Sequence, residues 1–234
     1  MSLPPRPRRG QMSEAFSAAV FLSVSGGLQD AYTYLARGEV FANAQTGNIV
    51  LLSQHLFRWD LPGTLRYFFP LASFALGVAA AEGIRCRCRD MVRFHWRQWV
   101  LLAEILLLLL VGFFPASMNL PANAIVSFSC AMQVQAFRKV DGCAFASTMC
   151  IGNLRSGVEA FCAYRRTTNR EILQKAGRYF SMIVLFALGA GLGGVCIPLL
   201  GKRTIWLSAL FLTGSFGLMF LREEREDSQT AEIS

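Results

Sequence analysis

The chain has 234 residues, of which 53% are hydrophobic and 16% are charged, whereas soluble domains carry roughly 25% charged residues. Three runs carry one charge or none, and each approaches the roughly 17–25 residues that a membrane-spanning helix needs: Trp99–Phe114, Tyr179–Leu200 and Thr204–Leu221. This composition excludes an ordinary soluble domain and a nucleic-acid-binding protein, because the net charge of +8 then belongs to loops that set membrane orientation. It predicts an all-α, multi-pass helical membrane protein.

The order of segments predicts one membrane domain between two tails. Residues 1–15 are basic and proline-rich, with no small-residue cleavage site after them, which is typical of a cytoplasmic tail. Residues 16–221 predict a single integral membrane domain, and residues 222–234 predict a disordered polar C-terminal tail. Eight apolar segments can be drawn, at about 16–36, 41–57, 66–84, 98–114, 119–137, 144–162, 179–198 and 203–221.

The first segment contains an acidic residue, Asp30, a few residues after the pair Gly26-Gly27. An acid within a membrane span is a functional candidate by default, through coupling to a proton or a cation. The alternative is that Asp30 lies near the outer interface or caps a local break in the helix.

The second segment, "FANAQTGNIVLLSQHL", contains a cluster of polar residues that would be costly in a lipid-exposed helix: Asn43, Gln45, Thr46, Gly47 and Asn48. We interpret Asn48 as the N-cap of a half-helix that begins at membrane depth, with Gly47 allowing close backbone approach. Such a helix start favours an anionic or carbonyl-bearing ligand. The alternative is that these amides only satisfy the break and pack two halves together.

Two later segments also carry polar side chains. At 100° per residue, one face of segment 119–137 contains Asn119, Asn123, Ser127, Cys130 and Gln133, which predicts either a wet cavity or hydrogen bonding between helices. Glu104, in the preceding segment, is expected near the interface or paired with arginine.

A second Gly-Asn pair, Gly152-Asn153, has the same interpretation, with Asn153 as the N-cap of a second half-helix. It is followed by Arg155 and Glu159 at i,i+4 spacing. These two charged residues most simply pair with each other, and the sharper alternative makes Arg155 a substrate ligand.

An internal repeat relates the two halves, about 16–114 and 119–221. Asp30–Ile49 aligns with Gln135–Leu154 at a shift of 105 residues, so that Gln135 takes the place of Asp30 and the two Gly-Asn pairs coincide. Ser73–Gly83 aligns with Leu185–Val195 at a shift of 112, with Phe-Ala-Leu-Gly identical in both.

Loop charge favours six spans over eight short ones. If all eight segments crossed, the basic loops would lie on both sides of the membrane, against the positive-inside bias. If 41–57 and 144–162 instead enter and leave on one side, both termini and Arg85–Arg97 become cytoplasmic. The halves are then inverted repeats of three spans, each with a re-entrant Gly-Asn segment, a plan typical of transporters and channels.

The sequence contains no pattern for nucleophilic catalysis, no phosphate-binding glycine loop and no metal-ligand cluster. We therefore expect no enzyme, no cofactor and no metal. The expected partners are the lipid bilayer and a small solute, for which an anion is one candidate, with a homo-oligomer left open. The preferred function is a small-solute transporter or channel, and the alternative is a non-transporting membrane scaffold or sensor.

The motifs "GGLQDAYTYL" and "GEVFANAQTGN" within Gly26–Asn48, followed by the second "IGN" and the second "FALG", resemble the YoaK-like family of bacterial multi-pass membrane proteins. The resemblance covers about residues 15–221. It implies an integral inner-membrane location and no established activity. Ile151 departs from the pattern, because it stands where a threonine would match Thr46.

Overall fold

The computed structural model describes residues 9–88, 96–137, 139–140, 143–144, 148 and 150–231. The described chain is almost entirely helical, which confirms the all-α prediction, and two strands of two residues each, Lys139–Val140 and Cys143–Ala144, form a small antiparallel pair. The helices are α1 (Arg9–Ala36), α2 (Gln45–Phe57), α3 (Leu61–Cys88), α4 (Trp96–Val111), α5 (Asn119–Ala136), α6 (Cys150–Thr167), α7 (Arg170–Leu200) and α8 (Ile205–Ala231).

Local signals set several helix ends. Asp60 precedes α3, and its carboxylate accepts a hydrogen bond from the Gly63 backbone N–H at 3.2 Å. Asn169 caps α7 by accepting from the Glu171 N–H at 2.9 Å, and Gly201, with φ of 57°, follows its last residue. At the C-terminal end of the chain, α8 continues to Ala231, through residues that the sequence predicted to be a disordered tail. Arginine, glutamate and alanine are good helix formers, so this polar stretch can extend the helix.

The long helices run in two directions. Gln133 of α5 reaches the Leu22 carbonyl of α1 while Asn123 reaches the Arg37 carbonyl, so these two helices are antiparallel. Analogous contacts make α4 and α7 parallel to α1, and make α3 and α8 antiparallel to it. Helices α1, α3 and α4 are therefore opposed in direction to their counterparts α5, α7 and α8, as the predicted inverted repeat requires.

The pairs of helices that pack together are also equivalent in the two halves. Helix α1 packs on α7 as α5 packs on α3, and α1 packs on α8 as α5 packs on α4. Helix α2 packs on α3 as α6 packs on α7. At the crossings, Gly189 of α7 lies against the Val24 backbone of α1, and Gly77 of α3 lies against the Phe128 backbone of α5. The predicted Phe-Ala-Leu-Gly repeat thus marks two equivalent close helix contacts.

Helix α2 belongs to a segment that enters and leaves at one end of the bundle. After α1 ends, the chain turns back along it, with the rings of Tyr34 and Phe41 stacked at 4.7 Å and Asn43 bonded to the Gly26 carbonyl. Gly26 lies ten residues before the end of α1, about 15 Å along its axis. The 13 residues of α2, about 20 Å long, are too few for a bilayer core of about 30 Å.

The second segment reaches the same depth from the opposite end. Thr148 packs against Gly26, and α6 then leads to the turn before α7, at the N-terminal end of α1. The intervening residues 145–147 and 149, which include most of the second segment's irregular start, lie outside the described residues.

Many large apolar side chains lie on the surface, and several polar ones are buried. Buried polar side chains include Ser25, Gln29, Asp30, Glu104 and Asn123, whereas exposed apolar ones include Leu76, Leu106, Leu188, Val195 and Leu210. This distribution is typical of helices that face lipid. By length and composition, two described stretches could cross a membrane, Leu61–Arg87 and Arg170–Met219, the second comprising α7 and most of α8. The count of six spans stays a prediction.

Candidate functional site

The tip of the first re-entrant segment is fixed to α1 by Asp30. Its carboxylate Oδ1 accepts a hydrogen bond from the Asn43 backbone N–H at 2.7 Å, just before the first turn of α2. The Asn43 side chain in turn donates to the Gly26 carbonyl at 3.2 Å. Asp30 is buried deep in the bundle and does not lie at an interface. Its carboxylate accepts a hydrogen bond from the backbone at the break before α2, which agrees with the interpretation that Asp30 caps a local break.

Asn48 holds the descending chain rather than capping α2. The N-cap of α2 is Ala44, and Asn48 is the fourth helical residue, so the N-cap prediction was wrong. Its side chain reaches back seven residues, accepting from the Phe41 N–H at 3.1 Å and donating to the Phe41 carbonyl at 2.7 Å. Gln45 accepts from the Asn48 amide and donates to the Ala42 carbonyl. These amides satisfy backbone groups that the break leaves open.

The two re-entrant tips meet at Gly26. Thr148 is the repeat equivalent of Asn43, at the shift of 105 residues, and its methyl group fills the space beside the Gly26 α-carbon. Among the described atoms, the Asn43 Oδ1 and the Thr148 Oγ1 are buried and have no hydrogen-bond partner. We call Asp30, Asn43, Thr148 and Gly26 the tip site.

The other candidate residues divide into three groups. Asn153 is buried and occupies the fourth position of α6, as Asn48 does in α2, so its N-cap prediction was also wrong. Gly47 lies against the Phe41 ring. Thr46, Gly152 and Arg155 are exposed, and Arg155 pairs with Glu159 at 3.0 Å. Asn123 and Gln135 lie towards opposite ends of α5, where they donate to the Arg37 carbonyl and to Glu82, respectively.

A polar cluster beside the tip site was missed in the sequence. The Gln29 side-chain nitrogen lies 3.0 Å from both Ser25 Oγ and Ser208 Oγ, and 3.3 Å from Glu104 Oε1. Cys130 of α5 donates to the Gln29 oxygen. The cluster thus joins α1, α4, α5 and α8 at the centre of the bundle. The i,i+4 spacing of Ser25 and Gln29, directly before Asp30, is the sequence signal that could have indicated it.

Glu104 in this cluster is fully buried, and it has no ion pair with any described residue, so its expected interfacial or arginine-paired position was wrong. Its Oε2 has no hydrogen-bond partner among the described atoms. The prediction rested on the nearby basic loop. However, the helix turns this side chain towards the interior, on the same face as the buried Leu101 and Leu108.

The polar face of α5 points inward, as predicted. Asn123, Ser127, Cys130 and Gln133 are all buried. The Asn123 Oδ1 and the Ser127 Oγ have no hydrogen-bond partner among the described atoms. Hydrogen bonds between helices therefore do not satisfy all the polar groups of this face. The described residues contain no group of three His, Cys, Asp or Glu side chains arranged to hold a metal ion.

The turn between α2 and α3 carries a hydrogen bond between two side chains, outside the helical core. His55 Nδ1 lies 2.7 Å from Asp60 Oδ2, and the imidazole stacks on Tyr67. The Gly63 N–H, together with His55, holds the pKa of Asp60 below its usual range. This contact fixes the return from the re-entrant segment into α3.

Comparison with known proteins identifies a family without assigning an activity. A family model described as "Protein of unknown function (DUF1275)" matches residues 18–218, and the chain belongs to this family. No curated protein and no solved structure matches the chain.

Proposed function

We propose that this member of the DUF1275 family is a small-solute transporter or channel whose substrate binds at the tip site. The observation that carries the proposal is the meeting of two repeat-equivalent re-entrant tips at Gly26, about midway along the bundle, beside the buried Asp30. Irregular backbone at this depth is tolerated where it is buried in protein or lines a cavity, and in transporters such breaks surround the substrate.

The groups left over at the tip site favour a solute that donates hydrogen bonds. The Asn43 Oδ1 is an acceptor, and the Thr148 hydroxyl can accept or donate. Asp30 adds a carboxylate, which already occupies the N-terminal side of α2 where an anion would otherwise bind. A neutral solute with N–H or O–H groups, or a cation, therefore suits this site better than the anion expected from the Gly-Asn pairs alone.

Two buried acids would couple transport to a proton or a cation in this proposal. Asp30 belongs to the tip site, and Glu104 is connected to it through Gln29, the residue before Asp30. Such acids are rare within spans and commonly belong to ion pathways. Their separate positions allow one to contact the solute while the other binds the coupling ion.

The proposed orientation follows from loop charge. The C-terminal end of α1 faces the outside, both termini lie in the cytoplasm, and the membrane is the inner membrane of a bacterium. We also propose that the chain is a YoaK-like protein within this family.

The rival function is a non-transporting scaffold or sensor. The observation favouring it is that the side-chain amides of Gln45 and Asn48 form hydrogen bonds to the backbone of their own segment. A break with a purely structural role requires such bonds. It does not explain why the two tips bring unpartnered polar atoms to one place.

A binding screen separates the two functions. We expect members of a panel of small amines, amides, polyols and monovalent cations to raise the thermal midpoint of the purified full chain. The stabilisation should fall in Asn43→Ala and in Thr148→Ala, and persist in Thr46→Ala, a matched exposed residue of the same segment. If no compound stabilises the protein, or if stabilisation survives both tip substitutions, the proposal is wrong.

A further inference from the structure

A cleft at the C-terminal end of α1 is distinct from the tip site. It lies between the end of α1, the start of α3 and the start of α5, and has a volume of about 370 Å³. Its lining includes two arginines and two asparagines, with apolar side chains between them: Arg37, Arg66, Asn119, Asn123, Leu65 and Leu120. None of the described residues that line it is acidic. The volume is within the range of about 300–1,000 Å³ that is typical of small-molecule sites.

Arg37 brings a buried positive charge to this cleft. Its side chain is 1% exposed, and its guanidinium donates to the Tyr32 hydroxyl at 2.7 Å and to the Val111 carbonyl at 3.0 Å. It also donates to the Pro115 carbonyl and to Asn119 Oδ1. All four acceptors are neutral, and no described carboxylate lies within ion-pair distance. The guanidinium is therefore fixed in place while its charge is not neutralised.

Arg66 supplies a second positive charge at the mouth. It is exposed and forms no hydrogen bond or ion pair with the residues that the structure describes. The carboxylate of Asp60, six residues earlier, is taken by His55 and by the Gly63 N–H. The Asp60 carboxylate lies within electrostatic reach of Arg66 but accepts no hydrogen bond from it. The N–H groups of the Arg66 guanidinium can therefore donate two parallel hydrogen bonds to a ligand.

We propose that this cleft binds an anionic oxygen group, a carboxylate or a phosphate, that is attached to a small apolar body. Arg66 contacts the anionic group directly, and the fixed charge of Arg37 attracts it electrostatically. Leu65 and Leu120 cover the apolar body. The ligand is either a free organic acid or an anionic phospholipid, because the cleft opens at one end of the bundle. This site is independent of the transport proposal, since an anion can bind here whether or not any solute moves through the tip site.

The test uses benzoate as the probe and benzamide as its uncharged isostere, titrated into the purified full chain by calorimetry. We expect benzoate to bind and benzamide not to bind. Arg66→Glu should weaken benzoate binding about tenfold or more, because it removes a charge-assisted contact and introduces repulsion. Arg66→Lys should weaken it less. Arg58→Glu, which makes the same charge change at an exposed arginine outside the cleft, should leave the affinity within about twofold.

A second arm identifies the source of the anion. Native mass spectrometry in detergent would compare retained phosphatidylglycerol with retained phosphatidylcholine in wild type, Arg66→Glu and Arg58→Glu. Retention of phosphatidylglycerol that only Arg66→Glu abolishes assigns the site to lipid, and benzoate binding without it assigns the site to a free acid. The proposal is overturned if neither anion binds, or if both arginine variants behave alike. The screen for the tip site depends on substitutions of Asn43 and Thr148, which do not line this cleft, so either proposal can be wrong while the other holds.

Discussion

At the scale of single residues, Asn48 shows how an amide can be essential without touching a solute. Its side chain forms hydrogen bonds with both the N–H and the carbonyl of Phe41. These bonds connect the chain that turns back along α1 to the first turn of α2. Asp30 does the same for Asn43 from the neighbouring helix. In the proposed membrane location water cannot satisfy these groups, so the fold has to supply the partners itself.

We expect Asn48→Ala to lower the free energy of unfolding by about 1–3 kcal/mol, because the part-buried Phe41 N–H and carbonyl both lose their side-chain partner. Thermal or denaturant unfolding of the purified protein would measure this change. Ser53→Ala is the control, since Ser53 bonds only to the Ile49 carbonyl on the exposed side of the same helix. Equal stability of the two variants would show that Asn48 does not hold the segment.

The sequence could indicate Asn48, and as one alternative its structural role, but not its partner. Its cost in an apolar segment is a property of the residue type, so the pattern alone marked it. Its partner, Phe41, became visible only when the chain was seen to turn back along α1. The prediction that Glu104 lies near the interface or pairs with arginine was wrong for a related reason. The distance of Glu104 from a basic loop along the chain says nothing about the direction in which its side chain points.

At the scale of elements, two glycines let helices from opposite halves approach closely. Gly189 lies against the Val24 backbone and Gly77 against the Phe128 backbone, so a methyl group at either position would overlap a carbonyl of the facing helix. This backbone cannot move aside without separating the helices. The two contacts are equivalent under the exchange of halves.

We expect Gly189→Ala and Gly77→Ala each to destabilise the protein by about 1–3 kcal/mol, as overpacking does elsewhere. The matched controls are Gly191→Ala and Gly83→Ala on the same two helices, where an added Cβ meets no atom within 4 Å. The controls should be neutral or more stable by up to about 1 kcal/mol, because alanine favours the helix. Thermal midpoints in one detergent would compare the four variants. Similar losses at all four positions would contradict the assigned crossings.

The contact of the second tip with α1 can be tested by a disulfide. A Cβ placed on Gly26 lies 3.4 Å from the Thr148 Cβ, close to the mean of about 3.8 Å in disulfides. In a variant without native cysteines, we expect Gly26→Cys and Thr148→Cys to cross-link under mild oxidation, as seen by peptide mass spectrometry. Thr46→Cys with Thr148→Cys should not cross-link, because Thr46 is exposed. A missing link in the first pair would place the second tip elsewhere.

At the scale of the whole molecule, the repeat and the loop charges were enough to predict opposed halves. Identical Phe-Ala-Leu-Gly stretches indicated two equivalent helices, and the basic loops indicated that two segments do not cross. The helix directions agree with both inferences. The sequence could not locate the tip site, because Thr148 aligns with Asn43 without resembling it. The convergence on Gly26 depends on how the halves pack together.

The central claim is that the two re-entrant segments open from opposite faces of the membrane. It is tested most directly by labelling single cysteines at Trp59, in the turn before α3, and at Thr168, in the turn before α7, both of which are exposed. A membrane-impermeant maleimide would be applied to cells expressing variants without native cysteines. Our account predicts that Trp59→Cys is labelled in intact cells and Thr168→Cys only after permeabilisation. Labelling of both positions from the same side would contradict it.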